Sequence, residues 1–460
     1  MIERAFEALE RAGSRELDSG CDAALELRWR RSAEELLLRV GAWQQLLTRR
    51  GVRPGDRVAI EVSRGPELLP AHLAVLGSGA CAVPVNPALA SAERERILER
   101  AGLRTLLADA DSPDRGAAAR LGALDPERPA LLIFTSGTTG EPKGVPLSLA
   151  NLEANLADLA QTWQLSSDDR LLHVLPAHHV HGLVLALYGS ARLAMPHVLL
   201  PRFDAATALR AIAQFQIRLF MGVPTMYHRM NACEGEFDTR RVRLFISGSA
   251  PLSKRDFAAF EERFDHRPLE RYGLSETLIV SSNPLDGERR AGSVGLPLPQ
   301  TELRLADDGE IEVAGPMVMR GYWNADKLSA EAFNGRFFRT GDLGAFDEAG
   351  YLVISGRKKE LIIVGGSNVL PSEVEFGLGG VDGVDELAAA GLPDPDRGEV
   401  VGVFVVAEAG ADRAAIESGL QASGDANLAP YKRPRRVIFV PELPRNQMGK
   451  VDRKRLSALG

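Results

Sequence analysis

Cysteine is scarce in this chain: Cys21, Cys81 and Cys233 are the only three in 460 residues, odd in number and far apart. No disulfide framework and no zinc-ligand spacing can be drawn through them, so they read as buried thiols in a reducing compartment. Positive charge is also in deficit. A formal net charge of −7 excludes the broad basic surface that holds a nucleic acid. No apolar run is long enough to cross a bilayer. The first segment, MIERAFEALERAGSRELD, is amphipathic, but it carries acids and has no apolar core of the signal-peptide kind. Internal repeats and low-complexity tracts are missing as well. These absences lead us to expect a cytoplasmic protein with neither membrane nor nucleic acid as a partner.

What is present is ordinary globular material, with 45% apolar and 25% charged residues, enough for a large core. Short apolar runs at 57–62, 81–85, 104–109, 131–134, 170–176, 197–200, 218–223 and 243–248 read as strands. Between them, 91–102, 149–163, 204–215 and 253–264 repeat their apolar residues at helical spacing. This alternation predicts an α/β protein with parallel sheets covered by helices. Past residue 300 the texture changes. TELRLADDGEIEVAG predicts a hairpin turning at Asp307-Asp308-Gly309, and FDEAGYLVISG a second turn and strand. We expect a large domain over 1–356, ending in a β-rich subdomain, and a small mobile α+β domain over 357–460.

Residues 131–144 read LLIFTSGTTGEPKG. A buried strand stops and gives way to hydroxyls and glycines, closed by one lysine. The spacing does not fit the G-x-x-x-x-G-K-[ST] phosphate loop. The logic is similar all the same. Gly137 and Gly140 let backbone N–H groups approach an anion, Thr135, Ser136, Thr138 and Thr139 offer hydroxyls, and Lys143 adds charge.

This segment resembles the phosphate-loop signature of the adenylate-forming superfamily, which includes acyl-CoA synthetases, nonribosomal adenylation domains and luciferases. Further motifs of that superfamily follow in order: LPAHHVHGL (175–183), FISGSAPL (245–252), ERYGLSET (270–277), RTGDLG (339–344), GRKKELI (356–362), GGSNVLPSEVE (365–375) and PRNQMGK (444–450). The resemblance implies ATP, Mg²⁺ and coenzyme A as reactants, and an acyl-adenylate as intermediate. It implies that Thr135 to Gly140 wrap the outer phosphates and that Lys450 reaches the carboxylate and the α-phosphate. Asp342 and Arg357 would hold the ribose. Tyr272 would stack on adenine, with Gly273 and Ser275 beside it and Gly248, Ser249 and Ala250 opposite. Glu276 would stand beside the metal. His179 would gate the acyl pocket, Lys359 would be the hinge, and Gly365, Gly366 and Ser367 would line the pantetheine tunnel. The His178, His179, His181 triplet does not place ligands on one helical face, and no acid or cysteine completes a metal site.

Within the superfamily, GVPTMYHRM (222–230), HVHGLVL (179–185) and ERYGLSETL look most like malonyl-CoA synthetases. Arg229 matches the arginine implied to hold the second carboxylate of malonate or a 2-substituted malonate. Its planar fork suits a carboxylate. Two other readings stay open: an adenylation enzyme that loads an acid onto the phosphopantetheine of an acyl carrier protein, and a non-catalytic AMP-binding protein on the same fold.

Overall fold

The computed structural model describes residues 1–103, 105–113, 119–135, 142–445 and 451–460. All eight apolar runs between 57 and 248 form strands, as Arg57–Glu61, Cys81–Pro84, Thr105–Ala108, Pro129–Thr135, Leu171–His173, His197–Leu199, Leu219–Gly222 and Leu244–Ser247. They belong to two sheets. In the smaller, Thr105–Ala108, Arg57–Glu61, Cys81–Pro84 and Pro129–Thr135 lie side by side and parallel. Lys143–Ser148 closes that sheet as an antiparallel edge. In the larger, nine-stranded sheet the central strands run parallel, with Leu219 in register with both Leu171 and Leu244.

The covering helices form where the periodicity places them, at Ser91–Ala101, Leu149–Thr162, Ala205–Gln214 and Lys254–Phe264. Three begin at a side chain that satisfies an otherwise unpaired N–H. Ser148 accepts from Asn151 N–H at 3.1 Å while the Asn151 side chain accepts from Ser148 N–H at 2.9 Å, a capping box. Asp204 and Ser253 each cap at 2.9 Å, onto Thr207 and Asp256. Pro224 opens the helix Pro224–Asn231 at its first turn, where its missing N–H costs nothing. Tyr227 and Phe260, from two of these helices, pack edge-on with Phe220 and Phe245 of the sheet, at centroid separations of 5.0 to 6.0 Å. That aromatic packing fixes the height of the helices above the strands.

Three elements differ from the sequence expectation. Glu16–Cys21 and Leu27–Ser32 extend the large sheet, the first of them parallel to His197–Leu199. His181–Tyr188, wholly buried, is wound as a π-helix, a form that gathers at functional sites.

The chain divides into two compact units, Met1–Leu303 with Val313–Arg339, and Arg304–Glu312 with Thr340–Gly460. In the second unit Val384–Asp394 and Gly398–Ala407 form a long antiparallel hairpin. It is flanked by Ile362–Val364, Ser367–Val369 and the parallel Arg436–Phe439. Val369, Val374, Val403, Leu420 and their neighbours make its core. No described helix is long and apolar enough to cross a membrane.

Candidate active site

Parallel strands deliver their following loops to one edge of the sheet. In the first unit that edge carries 174–181 after Leu171–His173, Val223-Pro224 after Leu219–Gly222, and Gly248-Ser249-Ala250 after Leu244–Ser247. It also carries the turn Ser275-Glu276-Thr277, between Leu269–Leu274 and Leu278–Ser282. His179, Gly248, Ser249, Ala250, Ser275 and Glu276 sit on these loops.

Thr135 ends its strand opposite Lys143 in the antiparallel register, so the strand pair brings the two ends of the hydroxyl-rich segment together. Ser136, Gly137, Thr138, Thr139 and Gly140 lie outside the described residues, as does Lys450. Lys143 Nζ stands 5.4 Å from the ring centroid of Tyr322, a cation–π contact. The Tyr322 hydroxyl in turn donates to Glu276 Oε1 at 3.0 Å. Burial and then the Glu276 carboxylate push that hydroxyl well above its ordinary range, so it keeps its proton and acts as a donor. Tyr322 is held by its own N–H on Ser329 Oγ at 2.8 Å, and Met319 N–H bonds the Glu276 carbonyl at 2.8 Å. The sequence motifs did not point to Tyr322. Its only signal was an aromatic pair, Tyr322-Trp323, in an otherwise polar stretch.

A second cluster forms around Arg271, which the sequence reading passed over. Its side chain is only 5% exposed, and neither Nε nor Nη2 has a hydrogen-bond partner. Burial pulls its pKa down to about 9. The guanidinium lies against Gly248: a β-carbon there would stand 2.6 Å from Arg271 Cζ. His181 completes the group, with Nδ1 3.4 Å from Ser249 Oγ. Burial, and next the Arg271 charge, hold the His181 imidazole far below its ordinary pKa, hence neutral. Ser249 sits at φ +72°, a strained conformation for a side-chain-bearing residue. Tyr272, 8% exposed, follows Arg271 on the strand.

Arg229 lies on the solvent face of Pro224–Asn231, while Arg271 is enclosed. His178 and His179 are half-buried with rings 4.2 Å apart, and burial lowers His178 to about 4. No group of three or more potential metal ligands occurs among the described residues.

In the second unit, Asp342 and Arg357 face one another across an antiparallel pair, with Arg357 Nε 2.8 Å from Asp342 Oδ1. Asp342 is buried, and its backbone N–H bonds Thr340 Oγ1 at 3.1 Å. Lys359 is exposed, within the single 3₁₀ turn Lys358–Glu360. Gly365 and Gly366 are the two central residues of a hairpin between Ile362–Val364 and Ser367–Val369, at φ +56° and +84°. Nothing lies within 4 Å of a β-carbon added at either. The turn conformation is what requires glycine at both positions.

The AMP-binding enzyme family matches residues 23–121 and 110–323, and the AMP-binding enzyme C-terminal domain matches residues 373–450. A malonate–CoA ligase of Arabidopsis thaliana is 33% identical over 475 residues, covering 88% of this chain and 78% of its own. A Mycobacterium tuberculosis long-chain-fatty-acid–CoA ligase is 31% identical, with 88% of each chain covered. Among solved structures, ATP-bound MatB from Rhodopseudomonas palustris superposes with a TM-score of 0.88 at 34% identity, over 100% of this chain and 99% of its own. The chain belongs to the AMP-binding enzyme family, the ATP-dependent acyl-CoA ligases.

Proposed function

We propose that the protein joins a small dicarboxylic acid of the malonate type to coenzyme A, by way of an acyl-adenylate. One carboxylate oxygen attacks the α-phosphorus of ATP, and the bond to the β-phosphate oxygen breaks to release pyrophosphate. The thiol sulfur then attacks the acyl carbon, and the carbon–oxygen bond to AMP breaks. The first step brings two anions together, so fixed positive charge and donors must act where charge gathers. Lys143 is assigned to the outer phosphates with Thr135 to Gly140, Asp342 and Arg357 to the ribose, Tyr272 to adenine, and Lys450 to the carboxylate and α-phosphate. His179 is assigned to the acyl pocket, Lys359 to the hinge, and Gly365, Gly366 and Ser367 to the pantetheine arm.

Glu276 fits magnesium: it is a hard oxygen donor, oriented by the Tyr322 hydroxyl at 3.0 Å. A metal that takes one or two protein carboxylates and keeps waters and phosphate oxygens suits such a site. When bound, Mg²⁺ would neutralise phosphate charge. Tyr322 keeps the Glu276 carboxylate pointed and Lys143 in place.

The observation that carries the choice of acid is Arg271, buried with Nε and Nη2 unpaired. Two unpaired nitrogens on a buried guanidinium are costly, and a substrate carboxylate would relieve that. Arg229 is the other candidate, but it is exposed. An exposed guanidinium stays hydrated when a monoacid binds, so it discriminates weakly. An enclosed one is left bare, and sites of that kind reject the wrong ligand by ~10⁴-fold or more. ATP–pyrophosphate exchange over a panel of acids tests the reading. Malonate should exceed acetate, propionate and octanoate by orders of magnitude. Exchange with a monoacid and none with malonate would end the assignment.

A further inference from the structure

Although the chain is acidic overall, six arginines surround one open concavity of about 540 Å³: Arg15, Arg170, Arg218, Arg240, Arg241 and Arg243. Glu16, Asp168 and Asp169 share the lining, so six guanidinium groups against three carboxylates leave an excess of three positive charges. Arg170, Arg218 and Arg243 immediately precede Leu171, Leu219 and Leu244, which are in register across three adjacent parallel strands. Their backbones are stitched together: Arg218 N–H bonds the Arg170 carbonyl at 2.9 Å, and Arg243 N–H bonds the Arg218 carbonyl at 2.9 Å. Three arginines therefore follow one another across the sheet edge, their backbones at strand spacing, ~4.8 Å apart.

The fold meets only part of this charge. Asp169, 2% exposed, takes Arg243 through two bonds of 2.7 and 2.6 Å, and Arg218 through one of 3.4 Å. Burial pushes the Asp169 carboxyl up, but these arginines outweigh it and hold the group below its ordinary value. Arg243 is further committed to the carbonyls of Trp163 and Gln164, at 3.0 and 3.1 Å. That pair is a structural clamp. Arg240 is tied to Asp238 by two bonds of 2.9 Å. Arg15 faces Asp168 at 3.7 Å. Arg170 reaches the Phe215 carbonyl at 3.3 Å, and Arg241 is exposed at the rim. A clamp needs one arginine and one aspartate. The remaining guanidinium forks exceed that need.

We propose that this concavity is a second binding site, distinct from the nucleotide site, and that its ligand is a compact oligophosphate. Guanidinium forks match phosphate oxygens, and several arginines along one sheet edge suit an anion carrying charge on more than one centre. The concavity lies at the N-terminal ends of Leu171–His173, Leu219–Gly222 and Leu244–Ser247. The loops bearing His179, Pro224 and Gly248 follow their C-terminal ends. Strands of three or four residues, ~10–13 Å long, separate the two edges of the sheet.

The probe is inorganic tripolyphosphate, titrated calorimetrically into the full chain at low salt. Arg170→Gln/Arg241→Gln should bind one equivalent fewer than wild type and keep its ATP–pyrophosphate exchange rate. Arg241→Glu alone, an exposed change that leaves the Asp169 clamp in place, should weaken that one equivalent at least ~10-fold. Arg49→Gln, elsewhere on the surface, should change nothing. Equal stoichiometry and affinity in wild type and both cavity variants, each folded by its thermal midpoint, would overturn the proposal.

Discussion

At the residue scale, ionisable groups are set by what surrounds them. Glu270 and Arg271 are neighbours on one strand, both enclosed, and alternation along a strand sends their side chains to opposite faces. Burial raises Glu270 from 4.5 to about 7, against N–H bonds at 3.2 Å from Leu252 and from Gly292. The folded protein therefore binds this proton more tightly than the unfolded chain. The associated stability is fully present below pH 4.5 and is lost as pH rises through 7, about 3 kcal/mol in all. Glu270→Gln keeps the acceptor and removes the charge. Its unfolding free energy relative to wild type should climb between pH 4.5 and 7 and then level off; a pH-independent difference would contradict the assignment. Tyr322→Phe removes the donor to Glu276. It should lower adenylation ~10-fold or more at unchanged stability, and raise the Mg²⁺ concentration needed for half-maximal exchange. A variant that lost stability but kept its metal dependence would place Tyr322 in the scaffold alone.

At the element scale, the hairpin at Gly365-Gly366 gives a separable prediction. Space is open around both residues, yet both sit at positive φ. Gly366→Ala should therefore cost about 1–2 kcal/mol through backbone strain alone. Denaturant unfolding should register this while ATP–pyrophosphate exchange stays at the wild-type rate; a collapse of exchange would show that the turn serves the first step too. Alternation of strand and helix was legible because apolar runs of four to seven residues were bounded by breakers and separated by helical periodicity. The π-helix His181–Tyr188 was not legible. HGLVLALY is apolar throughout and buried throughout, so no period marks its face. Glu16–Cys21 was missed for the opposite reason: ELDSGC is polar, yet the strand is almost fully buried, with Asp18 Oδ1 lying 2.9 Å from His197 Nε2. Among the proposed site residues, Asp342 and Glu276 were marked in the sequence by their motifs. Arg271 and Tyr322 were not singled out, because burial decides their roles, and a lone arginine or tyrosine in sequence does not reveal its burial.

At the scale of the whole molecule, the two half-reactions are assigned to different residues. Lys450, in the C-terminal segment, is assigned to adenylation, and the hairpin of the second unit to thioester formation. Lys450→Ala should abolish pyrophosphate exchange while acyl-CoA still forms from supplied acyl-adenylate; loss of both steps would merge the two roles.

Arg271→Met asks whether the enclosed guanidinium selects the diacid. Replacing a buried guanidinium that has two unpaired nitrogens with an apolar side chain should leave stability equal or higher, so a folding defect would not obscure the result. Pyrophosphate exchange with malonate should fall ~100-fold or more, while exchange with propionate rises. Undiminished malonate exchange in this variant, or an equal fall for both acids, would show that Arg271 does not hold the second carboxylate.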